Sequence, residues 1–444
     1  MTCSGERTSL LLFNHYAATP DMADGTRHYD IGKVLAARGY DVTVIASASP
    51  QWGHSRSHGR NGEEYVVENF LEAPGLRFVW IRTAEEGVGL LSRAISMLSY
   101  LPRATAVARK LIRQHVLPEP MWVVGSCVHQ FAGLAALRIA REYAVPFIYE
   151  VRDLWPETLT EIGGWSQHHP AVVASRLMSR YLYGHAEQVV TLLPGSESVI
   201  ASYGVAASRI MVIPNGVDLQ RTETASRRIP GTEGSFLVVY AGSHGRANAL
   251  DQLIDAAARL SGTGDPRLKF LLIGSGPEKA RLQRRVREEG VHNVVFADPV
   301  PKNDIYALLK GADAFFLGTP HTGLYDAGMS MNKLMDYLAV GRPIVLACDA
   351  LQNPVSASGG GYVVSSDRPE QLADAFDHLA TMSSADLAAI GERGRLYARQ
   401  HLSIEHLADL WESVLRELPC KTDPSPKRHD TCSHEGVVHG ECRE

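Results

Sequence analysis

Cysteine is scarce in this chain. It occurs six times in 444 residues, at Cys3, Cys127, Cys348, Cys420, Cys432 and Cys442. No two form a CxxC pair, so neither a redox motif nor a disulfide framework is indicated. Long apolar runs are missing as well: no stretch reaches the roughly 18 apolar residues of a membrane-spanning helix. The segment Met1–Tyr16 has too short an apolar core for a secretory signal and no small-residue cleavage site, so a cytoplasmic location is expected. Positive charge does not predominate. Lys+Arg total 44 against 49 Asp+Glu, a formal net charge of −5, which argues against a nucleic-acid-binding surface. Only nine of the basic residues are lysines. No Asp has another Asp two positions away, so the DxD pair that holds a divalent cation on a nucleotide diphosphate is absent.

What remains is a globular composition, 45% hydrophobic and 21% charged, long enough for two or three domains. The apolar run Leu10–Phe13 stops at a polar loop, a helical pattern covers about 27–38, and Gly39 precedes a β-branched run, 41–46. This strand–helix–strand rhythm predicts a parallel sheet with helices on its faces. Further strands are expected at 76–81, 121–124, 146–149 and 188–192, with helices near 91–115, 130–143 and 170–186. Residues 48–64 read as a loop. A second α/β unit is expected from about residue 209, with strands at 236–242, 268–273, 293–296, 313–317 and 343–347, and a helical portion over 369–418. The expected division is 1–208, 209–398, a returning helix at 399–418 and a disordered polar tail at 419–444.

Helix N-termini bind phosphate through unpaired N–H groups and the positive dipole end. Two glycine turns at strand ends could supply such sites, around Gly242, Ser243, Arg246 and Asn248, and around Gly274, Gly276 and Pro277. Either turn alone could be only a turn; two in one half fit strand ends that converge on one crevice. The strongest signal is Tyr325–Val345. A loop with Gly328, Met329 and Ser330 enters a helix that carries Asn332, Lys333 and, one turn on, Asp336. N–H groups, an ammonium and a carboxylate suit a nucleoside diphosphate, with Asp336 accepting from ribose hydroxyls. The same residues also fit a surface Lys–Asp pair.

These segments resemble the retaining GT-B glycosyltransferases of family 4, and within them the WbuB-like branch. The matching stretches are Asn14-His-Tyr-Ala17, Tyr149-Glu-Val-Arg-Asp-Leu-Trp-Pro-Glu157, Pro214-Asn-Gly-Val-Asp218, Gly328-Met-Ser-Met-Asn-Lys333 with Asp336-Tyr-Leu-Ala339, and Gly341-Arg-Pro343. The resemblance, over about 9–418, implies an α/β fold of two Rossmann-like domains facing across a cleft. The second domain would hold a nucleotide-sugar donor, UDP-linked by expectation, and the first a lipid-linked or polysaccharide-precursor acceptor. It also implies that His129 lies beside the donor sugar and that Asp336 is the second acidic residue of the family's E-x7-E pattern. The first acidic position is Gly328 here. Ser243 and Asn248 stand where many relatives carry an Arg and a Lys for the diphosphate, which leaves Lys333, the helix N-terminus and Arg246. Retention would proceed on one face of the sugar, with the leaving phosphate helping to deprotonate the acceptor, and without a metal cofactor. His129, Lys333 and Asp336 are the expected catalytic group.

On the acceptor side, Asn14, His15, Gly25 and Arg27 follow one strand end, and Glu150, Arg152 and Asp153 another. Arg27 and Arg152 could meet an acceptor diphosphate, or Glu150, Arg152 and Asp153 could form an internal ion-pair network. Residues 87–117 hold Arg93, Arg103, Arg109, Lys110 and Arg113 among Leu and Ile and contain no acid, so this stretch could lie on an anionic membrane surface or pack on the core with a solvated basic edge. The Cys and His residues of the tail match no zinc-finger spacing. A catalytically silent partner module and a sugar-nucleotide epimerase remain as alternative functions.

Overall fold

The computed structural model describes residues 8–22, 25–48, 63–84, 90–161, 163–227 and 232–418. Its first sheet contains β1 (Thr8–Phe13), β2 (Tyr40–Ser47), β3 (Tyr65–Asn69), β4 (Leu76–Ile81), β5 (Trp122–Cys127), β6 (Phe147–Val151), β7 (Gln188–Thr191) and β8 (Ile210–Val212). Their order is β3-β4-β2-β1-β5-β6-β7-β8, and only β3 runs antiparallel to its neighbour. The strands β1, β2 and β5 are apolar runs buried on both faces, the pattern that a helix-covered parallel sheet requires. On one face lie α1 (Arg27–Ala37) and the chain's last helix; on the other lie α2 (Leu90–Arg113), α3 (Gln130–Tyr143) and, after the short α4 (Glu157–Glu161), α5 (Pro170–His185).

The short α6 (Glu197–Ser202) leads to β8, which pairs with β7. The first sheet therefore extends to Val212, past the expected 208/209 boundary. Two strands were not expected at all. Edge strand β3 is half polar, and the four-residue β14 (Gly361–Val364) begins at a glycine.

The second sheet consists of β9 (Phe236–Ala241), β10 (Leu268–Ile273), β11 (Val294–Ala297), β12 (Ala314–Gly318), β13 (Ile344–Ala347) and β14, all parallel in the order β11-β10-β9-β12-β13-β14. Its helices are α7 (Leu250–Thr263), α8 (Lys279–Glu288), α9 (Lys302–Lys310), α10 (Asn332–Val340), α11 (Pro354–Ser358), α12 (Pro369–Thr381) and α13 (Ser384–His401). Finally, α14 (Ile404–Glu417) leaves this domain and buries Leu407, Trp411 and Val414 in the core of the first.

The chain thus crosses between domains twice, and the crossings lie side by side. Val217 N–H donates to Leu402 O at 2.9 Å, and Ile404 N–H donates to Val217 O at 3.3 Å. A Cβ on Gly216 would sit 2.4 Å from Leu407 Cδ1, so glycine permits this contact. Gly125 on β5 and Gly133 on α3 do the same in the first domain, where a Cβ on Gly125 would lie 2.7 Å from Gly133 Cα. That close approach seats the start of α3, and with it His129, at the C-terminal end of the sheet.

Candidate active site

The C-terminal ends of both sheets line the interdomain cleft, where ligands of doubly wound folds bind. A pocket of about 250 Å³ opens there, lined by Tyr16, Gly25, Val128, Arg152, Asp153 and Leu192 from the first domain and by Asn215, Ser330 and Asn332 facing them. Asn215 closes one side: its N–H donates to Ser330 Oγ at 2.7 Å and its side chain to Ser330 O at 2.5 Å.

On the donor side, the two glycine turns are one structure. Gly242 N–H donates to Ile273 O at 2.9 Å and His244 N–H to Ser275 O at 2.8 Å. Gly274 has φ +144°, and a Cβ there would lie 2.0 Å from Gly242 O; on Gly276, with φ +156°, it would lie 2.6 Å from His244 O. These glycines are required by loop-to-loop packing, whatever they bind. Lys333 reaches this loop from the first turn of α10. Its ammonium donates to Tyr240 Oη at 2.9 Å and to Asn248 Oδ1 at 2.5 Å. Gly242 leaves room for it, since a Cβ there would lie 3.0 Å from Nζ. No described carboxylate pairs with this ammonium, and burial alone pulls it down to about 7. Asn248 and Ser243 are tied to each other through Asn248 Nδ2 and Ser243 O at 2.9 Å.

His244 was quoted within the loop but not singled out by sequence. It is fully buried, both ring nitrogens lack partners, and burial with the nearby Lys279 and Lys333 lowers it to about 4. Arg246, expected to help with the diphosphate, points away: its side chain is 91% exposed and lies 3.6 Å from Glu278.

Asp336 departs from expectation. It accepts from Tyr306 Oη at 2.7 Å inside a polar seam of about 10 Å³ that also touches Thr26, Arg27 and Asp30 of the first domain. A ribose does not fit that space. Lys333 and Asp336, three residues apart, thus serve different neighbours, and the surface-pair reading fails too. Gly328 also has a steric reason: φ is +83°, and a Cβ would lie 2.1 Å from Pro194 O of the first domain. An acidic side chain at this family position would push the domains apart here. Met329 is buried beneath the loop.

On the acceptor side, the expected residues split into two groups. Glu150, fully buried, accepts from Arg27 Nε at 2.9 Å, His28 Nε2 at 2.7 Å and Ser126 Oγ at 2.5 Å. Asn14 Nδ2 lies 2.9 Å from His28 Nδ1. The remaining donors of Arg27 bond to the carbonyls of Ile213, at 2.9 Å, and Pro214. The charges of Arg27 and Glu150 satisfy each other, and burial keeps His28 neutral, so the expected acceptor contacts of Asn14, Arg27 and Glu150 give way to a buried network that ties α1 and β6 to the crossing segment. Arg152 and Asp153 form no hydrogen bond to it, though the charge of Arg152 acts on Glu150. They line the pocket and make no side-chain hydrogen bond or ion pair among the described residues.

His15 and His129 form a buried ring cluster with Tyr16 and Tyr100. His15 stacks on Tyr100 with centroids 4.8 Å apart and meets His129 edge-on at 4.9 Å. Neither His129 nitrogen has a partner, and burial lowers this ring to about 3. An imidazole held neutral beside the cleft can donate or accept one hydrogen bond but is a poor base. His15 has no exposed surface for an acceptor; it supports His129.

The charges of 87–117 are partly spent. Arg109 and Arg113 pair with Glu142 at 2.8 and 3.1 Å, Lys110 pairs with Glu64 at 3.0 Å, and Arg103 donates to Arg82 O at 2.7 Å. Exposed on α2 are apolar Leu91, Ile95 and Leu98. Residues 87–89 and the tail with its Cys and His residues lie outside the described residues. Among the described residues no group of three or more His, Cys, Asp or Glu could hold a metal ion, and no helix is long and apolar enough to cross a membrane.

Two family models cover most of the chain: Glycosyltransferase Family 4 matches residues 25–221, and Glycosyl transferases group 1 matches residues 235–382. WcaI of Escherichia coli K12, a glycosyl transferase named for colanic acid biosynthesis, is 23% identical over 330 residues, 71% of this chain and 77% of its own length. The GDP-mannose:cellobiosyl-diphosphopolyprenol alpha-mannosyltransferase of Xanthomonas campestris is 27% identical over 188 residues, 42% of this chain and 47% of its own. The fold matches the crystal structure of HepE of Anabaena in complex with UDP-glucose, with a TM-score of 0.64 and 15% identity over 92% of this chain and 100% of the other. The chain belongs to family 4 of the glycosyltransferases and has their GT-B fold.

Proposed function

We propose that this glycosyltransferase passes a hexosyl or N-acetylhexosaminyl group, with retention, from a UDP-linked donor to a lipid-linked acceptor in the assembly of a cell-surface glycan. The observation that carries this reading is Lys333. A half-buried ammonium with no carboxylate partner, at a helix N-terminus and against a glycine loop, is a site for a polyanion. The diphosphate would lie on Gly242, Ser243 and the first turn of α10, and Lys333 with the helix dipole would stabilise the charge that grows as the bond to the sugar breaks. No metal is needed in this reading, because the ammonium does that work. His129 would hold the sugar by a hydrogen bond, and Arg152 would meet a phosphate of the acceptor.

The names of the relatives support the lipid-linked acceptor, and the HepE complex supports UDP. A membrane-facing surface fits the same reading. The adjacent helices α2, α3 and α5 carry nine Lys and Arg against one Glu, in a chain with net acidic charge. Leu91, Ile95 and Leu98 on α2 and Val173, Leu177 and Tyr181 on α5 are exposed among them. Apolar side chains within a basic face suit anionic lipid and would bring the cleft to a lipid-linked substrate. This reading places the enzyme at the inner face of the cytoplasmic membrane.

A thermal-shift titration tests the donor assignment. At a hundredfold excess over Kd a ligand stabilises by about 2.7 kcal/mol. UDP is expected to raise Tm by several degrees more than GDP, with and without EDTA. A shift with GDP alone, or one abolished by EDTA, would contradict the donor or the metal-free assignment respectively.

A further inference from the structure

We infer that the donor site does not read the 2′-hydroxyl of the nucleoside, so that sugars on a 2′-deoxyribonucleoside diphosphate serve as donors alongside UDP-linked ones; this inference rests on the donor reading above. The residue that sets this specificity is Asp336, because its carboxylate is committed to the protein instead of the ribose.

Ribose hydroxyls are typically read by a carboxylate, which accepts hydrogen bonds strongly. The spacing within α10 gives that part to Asp336, one turn beyond Asn332. Instead this carboxylate is buried and accepts from Tyr306 Oη at 2.7 Å. The seam around it measures about 10 Å³, room for one water at most. Its walls on the first-domain side are fixed. Arg221 pairs with Asp30 and donates to Thr26 Oγ1 at 3.2 Å, and Arg27 donates to Ile213 O at 2.9 Å. Across the seam a Cβ on Gly25 would lie 2.2 Å from Asn332 Nδ2, so the two domains touch there. Bringing a ribose to Asp336 would part the domains and strip buried charges of their partners.

The ribose is joined to the diphosphate through a single carbon, so it must lie close to Gly242, Ser243 and Lys333. The carboxylates beside the two glycine turns are engaged as well. Glu278 accepts from Arg281 Nε at 2.6 Å, and Arg246 lies 3.6 Å from its other oxygen. Asp298 pairs with Lys279 at 3.0 Å. Within the first turn, Asn248 gives its oxygen to Lys333 and its amide to Ser243 O. Among the described residues the diphosphate therefore meets a built site, and the 2′-hydroxyl meets no free carboxylate. A site that hydrogen-bonds a hydroxyl rejects the analogue lacking it, because its own polar groups are then left unpaired. Where those groups already bond to each other, the analogue leaves nothing unpaired and is not rejected.

The test is calorimetric titration of the wild type with UDP and with 2′-deoxyuridine diphosphate, which differ by that one oxygen. The two Kd values are expected to agree within about threefold. A deoxy form weaker by about tenfold or more, the loss of a hydrogen bond to a charged group, would overturn the inference while the donor reading stands, since UDP still binds. Asp336→Asn keeps the shape of the seam and an acceptor for Tyr306. It should bind both nucleotides as the wild type does, within about threefold. If this variant loses about tenfold in affinity for UDP but not for the deoxy form, Asp336 holds the 2′-hydroxyl and the inference falls. Binding of neither nucleotide by the wild type would overturn the donor reading, and this inference with it.

Discussion

Replacing Lys333 with Met separates what this residue does for the fold from what it does for the ligand. In the free protein the ammonium is half-buried, with only Tyr240 Oη and Asn248 Oδ1 as partners among the described residues, and desolvation lets it lose its proton near 7 instead of at 10.5. The unfolded chain keeps that proton to about 10.5. Between those values the unfolded state binds more protons, so wild-type stability rises with pH; the penalty is complete below about 7. A displacement of this size corresponds to about 5 kcal/mol at most. Met removes it but leaves the Asn248 and Tyr240 oxygens short of a donor, at a cost of about 2 kcal/mol. The net expectation near neutral pH is a variant about 2–3 kcal/mol more stable, raising Tm by about 5 °C or more.

Ligand binding moves the other way. As pH rises above 7 the free ammonium must regain a proton before it can meet a diphosphate, so wild-type UDP affinity should fall about tenfold per pH unit. The variant, which also controls for the ionisation of UDP, should bind at least about a hundredfold more weakly, a loss in the range of charged hydrogen bonds, and should lack this slope. Thermal melts and calorimetric UDP titrations from pH 6 to 9 read both effects. A variant that is less stable throughout and binds UDP as wild type does would refute the reasoning.

Three further outcomes follow from the geometry. His129→Ala should lower kcat by about 10²-fold or more while UDP affinity stays within threefold; equal turnover would remove the sugar contact assigned to this ring. Glu150→Gln breaks the network of Arg27, His28 and Ser126 and leaves the buried Arg27 guanidinium short of an anion, so it should destabilise by about 3–5 kcal/mol in chemical denaturation; a loss under 1 kcal/mol would show that the network is relaxed. Leu91→Glu with Ile95→Glu and Leu98→Glu should abolish flotation with anionic liposomes while leaving UDP binding intact, and unchanged flotation would remove α2 from the membrane face.

The two-domain architecture was legible because buried parallel strands are written as continuous apolar runs, as in Leu10–Phe13 and Phe236–Ala241. The half-polar β3 and the short β14, which begins at a glycine, carry no such signal, and the apolar run of β8 does not show which sheet it joins. Motif spacing placed Lys333 at the first turn of α10. It could not show which expected residues are consumed internally. Arg27 and Glu150 are 123 residues apart and meet only because the sheet order sets β6 near the start of α1. Nor could it show that Gly328 presses on Pro194, since that contact exists only between folded domains. His244 could have been flagged as a titratable residue inside a glycine loop, yet the burial of its ring without partners exists only in the folded loop.

The most direct test of the central claim is product analysis with purified protein, a UDP-hexose or UDP-N-acetylhexosamine and a polyprenyl diphosphate-linked acceptor. UDP release that depends on the acceptor, with an anomeric configuration in the product identical to that of the donor, is the expected result. Isomerisation of the donor without release, tight donor binding without turnover, or an inverted product would each contradict the account.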